Sequence, residues 1–265
     1  MKIRTHLLTA VACSVLMPAS ANAALLLHYT YESGTISGGT VNDQSPGGTA
    51  DGVRSGGGSF AVSTTAIEGT QSLNNTTSIA INKGPLDSTS NEATIASWYK
   101  GTDSSGYFFD QGQDRFVSSV ARNTASFAVW RGGTWYDSGV STSIIADDEW
   151  HHIAFVWSHD GTDATATIYV DGTAIDWGGG ATTKTLTGKG KISLTNDGIG
   201  AYQRLFSGNT GATQDQLNGL FDDTRIYDTA LSASEIASLA GVPEPSSAAL
   251  LGLGGLALIL RRRKG

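Results

Sequence analysis

Along residues 24–227 apolar positions come in short runs that alternate with polar ones, and clusters of Gly, Asn, Asp and Ser part the runs. No stretch of useful length carries the 3.6-residue period of an amphipathic helix. The pattern therefore predicts many short strands, the cue for an all-β fold in which two antiparallel sheets pack as a jelly-roll sandwich. The clearest strands are 25–31, 94–100, 107–111, 116–122, 126–131, 150–158, 165–170 and 220–227. In 150–158, Ile153, Phe155 and Trp157 share one face and His152, Ala154 and Val156 the other. Both faces read as covered, which places this strand in the interior of its sheet. Asp171-Gly172 then reads as a type I′ hairpin turn, whose two central positions both need positive φ, and the chain returns through 173–176. One short helix is expected at 232–240. Ser232 and Glu235 form a capping box there, Ile236, Leu239 and Ala240 an apolar stripe, and Gly241 a stop. Such a helix would clasp the rim of the sandwich.

The two ends break this pattern. Lys2 and Arg4, the apolar run 7–17 and Ala21-Asn22-Ala23 are the three parts of a secretory signal peptide, with cleavage after Ala23. The run is too short to span ~30 Å of hydrocarbon, and Cys13, the only cysteine, leaves with it. At the other end Val242-Pro243-Glu244-Pro245 precedes an apolar stretch, 246–260, and Arg261-Arg262-Arg263-Lys264. As a helix that stretch is about 22 Å long, marginal against the ~30 Å core, and it is expected to be a transmembrane helix acting as a transient stop. The basic cluster would stay cytoplasmic, with everything before Val242 outside. This tripartite end resembles the PEP-CTERM sorting signal of Gram-negative bacteria, with Pro243, Glu244 and Pro245 as the direct match. The resemblance implies that an exosortase-type protease recognises the tail, cuts near it and sends the protein to the envelope or the extracellular matrix. On length alone a lasting C-terminal anchor also fits. The organisation is then a leader (1–23), one domain (24–241) and a sorting segment (242–265).

Composition sharpens this. Of 265 residues 34 are glycine and 15% are charged, which excludes coiled coils and charged disordered tails; without a G-X-Y period the glycines serve turns. The formal charge is −7, but Lys2, Arg4, the four basic residues 261–264 and Glu244 belong to the ends. The remaining 11 basic and 23 acidic residues give the domain a net charge of −12. Such a surface repels nucleic acid and is compatible with divalent cations and neutral glycans. With no cysteine the domain has no disulfide, so its stability rests on its core or on a metal.

Four stretches resemble the LamG-like (concanavalin A-like) jelly-roll family. They are Leu27-His28-Tyr29 leading to 41–48; Ala93 to Lys100; Trp150 to Val156 with Ile168-Tyr169-Val170-Asp171-Gly172; and 217–227 running into Ala230 to Ile236. Pro46 departs from the family pattern, where a glycine is usual. The resemblance implies two antiparallel sheets with rim loops available for binding, and no particular activity, since the fold hosts lectins, hydrolases and adhesion modules.

Candidate chemistry follows from the loops. Calcium takes six to eight oxygens, and Asp43 and Asp222 would converge on one if the chain ends pair across the sandwich; the resemblance, too, implies a structural Ca2+ near these positions. The same residues also admit an Asx turn at Asp43 and pairing of Asp222 and Asp223 with Arg225. His151 and His152 are strand neighbours pointing to opposite faces and do not make a shared metal site. A glycosidase needs two carboxylates roughly 5–9.5 Å apart, often offered by alternate residues of one strand, and no Glu-x-Asp-x-Glu run occurs. Catalysis is therefore not expected. Trp130, Trp135, Tyr136 and Trp177, in or near Gly-rich turns, are candidates for sugar stacking, and equally for core or loop packing; Trp98, Trp150 and Trp157 are assigned to the core. The expected function is an exported binding or matrix protein for a glycan or exopolysaccharide. The alternatives are a carbohydrate-active enzyme and a purely structural biofilm or envelope component.

Overall fold

The computed structural model describes residues 23–77, 79–81, 91–110, 116–120, 126–131, 134–188, 203–206 and 216–241. In chain order the elements are β1 (Leu25–Tyr29), β2 (Ile36–Ser37), β3 (Thr40–Val41), β4 (Gly52–Arg54), β5 (Ala61–Ser63), β6 (Ser72–Asn75), β7 (Ile79–Ile81), β8 (Glu92–Lys100), β9 (Gly106–Asp110), β10 (Phe116–Val120), β11 (Ser126–Arg131), β12 (Thr134–Ser141), β13 (Trp150–His159), β14 (Ala164–Val170), β15 (Thr173–Ala174), β16 (Lys184–Leu186), β17 (Gln203–Leu205), β18 (Gly219–Tyr227) and α1 (Ala233–Leu239). They form two sheets. The first runs β15-β14-β13-β8-β18-β6-β5, with β1 also beside β18 and β16 beside β14; the second runs β12-β11-β10-β9-β17-β7-β4-β3-β2. Neighbouring strands of the path are antiparallel throughout, as in the pairing of β13 with β8 and of β11 with β12.

The alternation in the sequence decides which side chains meet between the sheets. On β13, Ile153, Phe155 and Trp157 enter the main core, while Ala154 and Val156 belong to a second cluster on the outer face. β13 lies between β8 and β14, as its two apolar faces require. The sheets are joined by aromatic rings. Phe108 of β9 meets Phe155 of β13 at 5.3 Å, and Phe206, just past β17, stacks on Phe221 of β18 at 3.5 Å with 18° between the ring planes. The β14–β15 hairpin turns at Asp171 (φ 50°) and Gly172 (φ 74°), the double positive φ of a type I′ turn.

β18 is the strand on which the first sheet closes. Its first half pairs with β6 and its second half with β1 along one edge, while β8 pairs along the other. The change of partner falls at Asp222-Asp223, where the register against β8 slips and Asp223 adopts φ 47°. This is a β-bulge, one extra residue opposite β8. Gly219, at the start of β18, lies so close to Tyr99 that a Cβ would sit 2.6 Å from its ring.

α1 has the expected capping box, with the Ser232 hydroxyl accepting from the Glu235 N–H and the Glu235 carboxylate accepting from the Ser232 N–H. Its place differs from expectation. Leu231 and Ile236 pack on Ala96, Ala154 and Tyr169, so the helix covers part of the outer face of the first sheet and not the rim. The expected transmembrane helix also needs correction. Among the described residues no helix is long and apolar enough to cross a membrane, and α1 has seven residues, bounded by its cap and by Gly241 at φ 63°. Residues 1–22, Pro243, Glu244, Pro245 and 246–260 lie outside the described residues.

If the rings hold the layers together, Phe108→Ala should cost about 3–5 kcal/mol of stability, the usual cost of emptying a buried aromatic site. Urea denaturation measures this; a loss below about 1 kcal/mol would show that the layers are held by other contacts.

Candidate functional site

On the outward side of the second sheet, register brings polar and aromatic residues of several strands into line. On β11, Phe127 and Val129 enter the core, so Ala128 and Trp130 point outward. Trp130 lies directly opposite Trp135 of β12, and opposed residues of an antiparallel pair share a face. Tyr107 of β9, buried at 6% exposure, comes to 6.2 Å from Trp135, ring to ring, and backs it from the strand side. Across β17 and β9, Leu205 opposes Phe109 in the core, which turns the neighbouring pair to the other face, where Arg204 is half-buried and Asp110 fully buried. The register links these positions through position 117 of β10, giving the row Arg204, Asp110, 117, Trp130, Trp135. At 4.7–4.9 Å per strand, five strands span about 19 Å. Asp137, two residues after Trp135, adds an exposed carboxylate held by the Ser126 hydroxyl and by the Gly139 N–H at 2.8 Å.

Two of the four aromatic candidates thus come together, and two do not. Tyr136 packs from the opposite face of β12 against the core, and Trp177 is 9% exposed inside the main core. Trp177 is pulled in by its loop, where Asp176 accepts the Gly178 and Gly180 N–H groups and the Trp177 N–H donates to Ala181. Of the tryptophans assigned to the core, only Trp157 is there. Trp98 is half-buried on the outer face of the first sheet, edge-on to His152, and Trp150 is half-buried at the start of β13. Tyr107, Asp110 and Arg204 escaped the sequence because only register places them beside Trp130 and Trp135.

The acidic candidates serve two separate loops. Asp43 Oδ1 accepts the His28 and Ser45 N–H groups at 2.9 Å each; Oδ2 accepts the Ser45 hydroxyl at 2.8 Å and the Ala50 N–H at 3.1 Å. Burial alone would raise its pKa, but these four bonds prevail and hold it below the ordinary carboxylate value. Asp222 Oδ2 accepts the Ile67 and Glu68 N–H groups at 3.0 and 3.1 Å, and Oδ1 the Asp223 N–H at 2.9 Å. Here burial wins over the three bonds and pushes the pKa up to about 6. Asp223 points elsewhere, to His28 Nε2 at 2.7 Å and to Arg225 Nε and Nη2 at 3.0 and 2.9 Å.

The adjacent histidines have unlike surroundings. His151 sits between Asp171 (2.8 Å from Nδ1) and Asp147 (3.0 Å from Nε2). Burial would lower its pKa, but the two carboxylates raise it. His152, 3% exposed, is pushed down to about 4 by burial.

Residues 73–237 match the concanavalin A-like lectin/glucanases superfamily. The chain belongs to that superfamily. Residues 241–264 match the PEP-CTERM protein-sorting motif, and comparison with curated proteins gives no match. Among solved structures, this concanavalin A-like chain is similar to domain 4 of AbnA, a GH43 extracellular arabinanase from Geobacillus stearothermophilus, in complex with arabinotriose. The two are 21% identical over 82% of this chain and 98% of that one, with a TM-score of 0.58. It is also similar to the binding domain of Paraclostridial Mosquitocidal Protein 1 (16% identity, 82% of this chain and 52% of that one, TM-score 0.55). A third is the binding domain of Botulinum Neurotoxin DC in complex with SialylT (14%, 84% and 52%, TM-score 0.51). At these identities the likeness is one of fold.

In the concanavalin A-like domain the oxygens of Asp43 and Asp222, the expected calcium ligands, accept hydrogen bonds within their own loops. Calcium needs six to eight oxygens with open lone pairs, and both carboxylates are engaged by N–H and O–H donors. Among the described residues no group of three His, Cys, Asp or Glu side chains could hold a metal ion. If these bonds leave no room for a cation, the melting temperature should agree to within about 1 °C in calcium and in EDTA; a clear rise with calcium would place a calcium site in the domain.

The histidines titrate in opposite senses. A raised folded pKa means that His151 contributes stability below the ordinary value near 6.5, lost as pH rises through its folded pKa. A depressed one means that the His152 contribution is present above 6.5 and lost as pH falls towards 4. NMR titration of the imidazole carbons should show His151 with its midpoint above 6.5 and His152 unchanged down to pH 5.5. A His152 signal moving with a midpoint near 6.5 would contradict its burial.

Proposed function

We propose that this is an exported, non-catalytic carbohydrate-binding domain, sorted by its PEP-CTERM tail, that grips a neutral polysaccharide on the outward face of its second sheet. The pairing of Trp130 with Trp135, with Tyr107 beside it, carries this reading. Aromatic rings held on a rigid sheet suit the apolar faces of sugars, and the exposed Asp137 and half-buried Arg204 supply acceptors and donors for hydroxyls. Arabinotriose in the similar arabinanase domain supports an oligosaccharide as the class of ligand. The net charge of −12 on residues 24–241 favours a neutral glycan over an anionic one.

The PEP-CTERM match implies processing by a cognate exosortase and delivery to the cell surface or beyond. The leader, cut after Ala23, would start this route. An exopolysaccharide met outside the cell is the natural partner for such a domain.

The test is affinity electrophoresis and calorimetry against neutral polysaccharides, including arabinan. Trp130→Ala and Trp135→Ala should each weaken binding at least about tenfold, since a stacked aromatic contributes about 1.4 kcal/mol or more, without lowering the melting temperature much. Trp177→Ala should instead lower stability by about 3–5 kcal/mol, as for a core ring. Unchanged affinity in both outward variants would remove this face as the site.

A further inference from the structure

We propose that removal of the leader after Ala23 creates at Ala24 an ammonium group that pairs with Asp228 and fastens the segment from which the sorting tail departs. The inference rests on the reading that the leader is cut at this bond. Its geometry is independent of that reading. The Ala24 nitrogen donates to Asp228 Oδ1 at 2.9 Å, and the Asp228 N–H returns a bond to the Ala24 carbonyl at 3.2 Å. This closed pair extends the β1–β18 ladder by one step beyond Leu25 and Tyr227.

Beyond Asp228 the chain has no ladder to follow, and side chains hold it. The Thr94 hydroxyl donates to the Thr229 carbonyl at 2.7 Å and accepts the Leu231 N–H at 2.9 Å. Glu92 accepts the Ala230 N–H at 3.1 Å, after which the Ser232 cap starts α1. Ala23 lies against the same apolar cluster as Leu231, Ile236 and Leu239. The mature N-terminus and the helix preceding the sorting motif, which starts at residue 241, therefore occupy one place.

Hydrolysis of the 23–24 bond gives the hydroxyl of water to the Ala23 carbonyl carbon and the hydrogen to the Ala24 nitrogen. At neutral pH that nitrogen takes a further proton. Asp228 then faces a full positive charge with three donors where the precursor offers one amide N–H, and charge-assisted bonds are the stronger kind. The other ionisable groups on the elements meeting here are His28 and Tyr29 on β1, Glu92, Tyr99 and Lys100 on β8, Asp222, Asp223, Arg225 and Tyr227 on β18, and Glu235 on α1. Glu92 and Glu235 are turned to backbone N–H groups, and His28, Asp223 and Arg225 to one another. Cleavage also takes the Ala23 methyl from the cluster, which works against the gain, so the comparison must keep that methyl in one arm.

Two chains ending at Gly265 make the test, one beginning at Ala24 and one at Ala23, melted in the same mild detergent. The first should melt about 1–4 °C higher at pH 7, as expected for a half-exposed ion pair in a chain of this size. The advantage should vanish at pH 10, where the amine is neutral, and in Asp228→Asn. Equal melting at pH 7, or an advantage that survives Asp228→Asn, would overturn the proposal. Intact mass of the exported protein separates the two claims: a first residue other than Ala24 defeats the cleavage reading, whatever the melting pair shows.

Discussion

The structure depends on the way β18 holds three strands at once. With β8 along one edge and β6, then β1, along the other, it joins the beginning, middle and end of the described chain in one sheet. Where the one edge of β18 passes from β6 to β1, the ladder to β8 on the other edge bulges at Asp222-Asp223. The polar groups freed there are answered locally. Ser97 Oγ donates to the Asp222 carbonyl at 3.0 Å and bonds Thr224 Oγ1 at 2.8 Å, which in turn meets the Tyr31 hydroxyl at 2.8 Å. Asp222 itself reaches the loop between β5 and β6, while Glu32 accepts the Thr70 and Gln71 N–H groups from the other side. Two acids, Asp222 on β18 and Glu32 just past β1, thus pin the loop between β5 and β6 from two sides.

Seen this way, the acidity of residues 24–241 has an internal use. Asp43, Asp222 and Glu32 each accept backbone N–H groups that no strand partner reaches. Asp103 and Asp176 do the same in other loops. In a sandwich whose long connections cannot all form ladders, a carboxylate accepting two or three N–H groups replaces the missing secondary structure.

The sequence made the strong strands and the helix legible, because their signals are local. The alternation along Trp150–His159, the Asp171-Gly172 turn and the Ser232–Glu235 box are each complete within a few residues. Short strands such as Gly52–Arg54 and Ala61–Ser63 carry too few positions for alternation to show. The family was legible in the order of its segments. The site was not, beyond two of its tryptophans. Which face Trp130 and Trp135 take follows from alternation within β11 and β12, but their neighbours come from β9 and β17, which register alone brings alongside. Trp98 shows the opposite failure: a tryptophan in an apolar strand read as core, while its parity with Ala96 sends it to the outer face.

The two outer faces are not equivalent, and their difference gives the molecule a direction. α1, Ala23 and the pair formed by Ala24 and Asp228 all gather on the first sheet, whereas the tryptophan row lies on the second, with the core between. Both chain ends therefore leave from the back of the domain. Held by its tail, the molecule would turn its back to whatever holds it and keep the tryptophan row towards the medium.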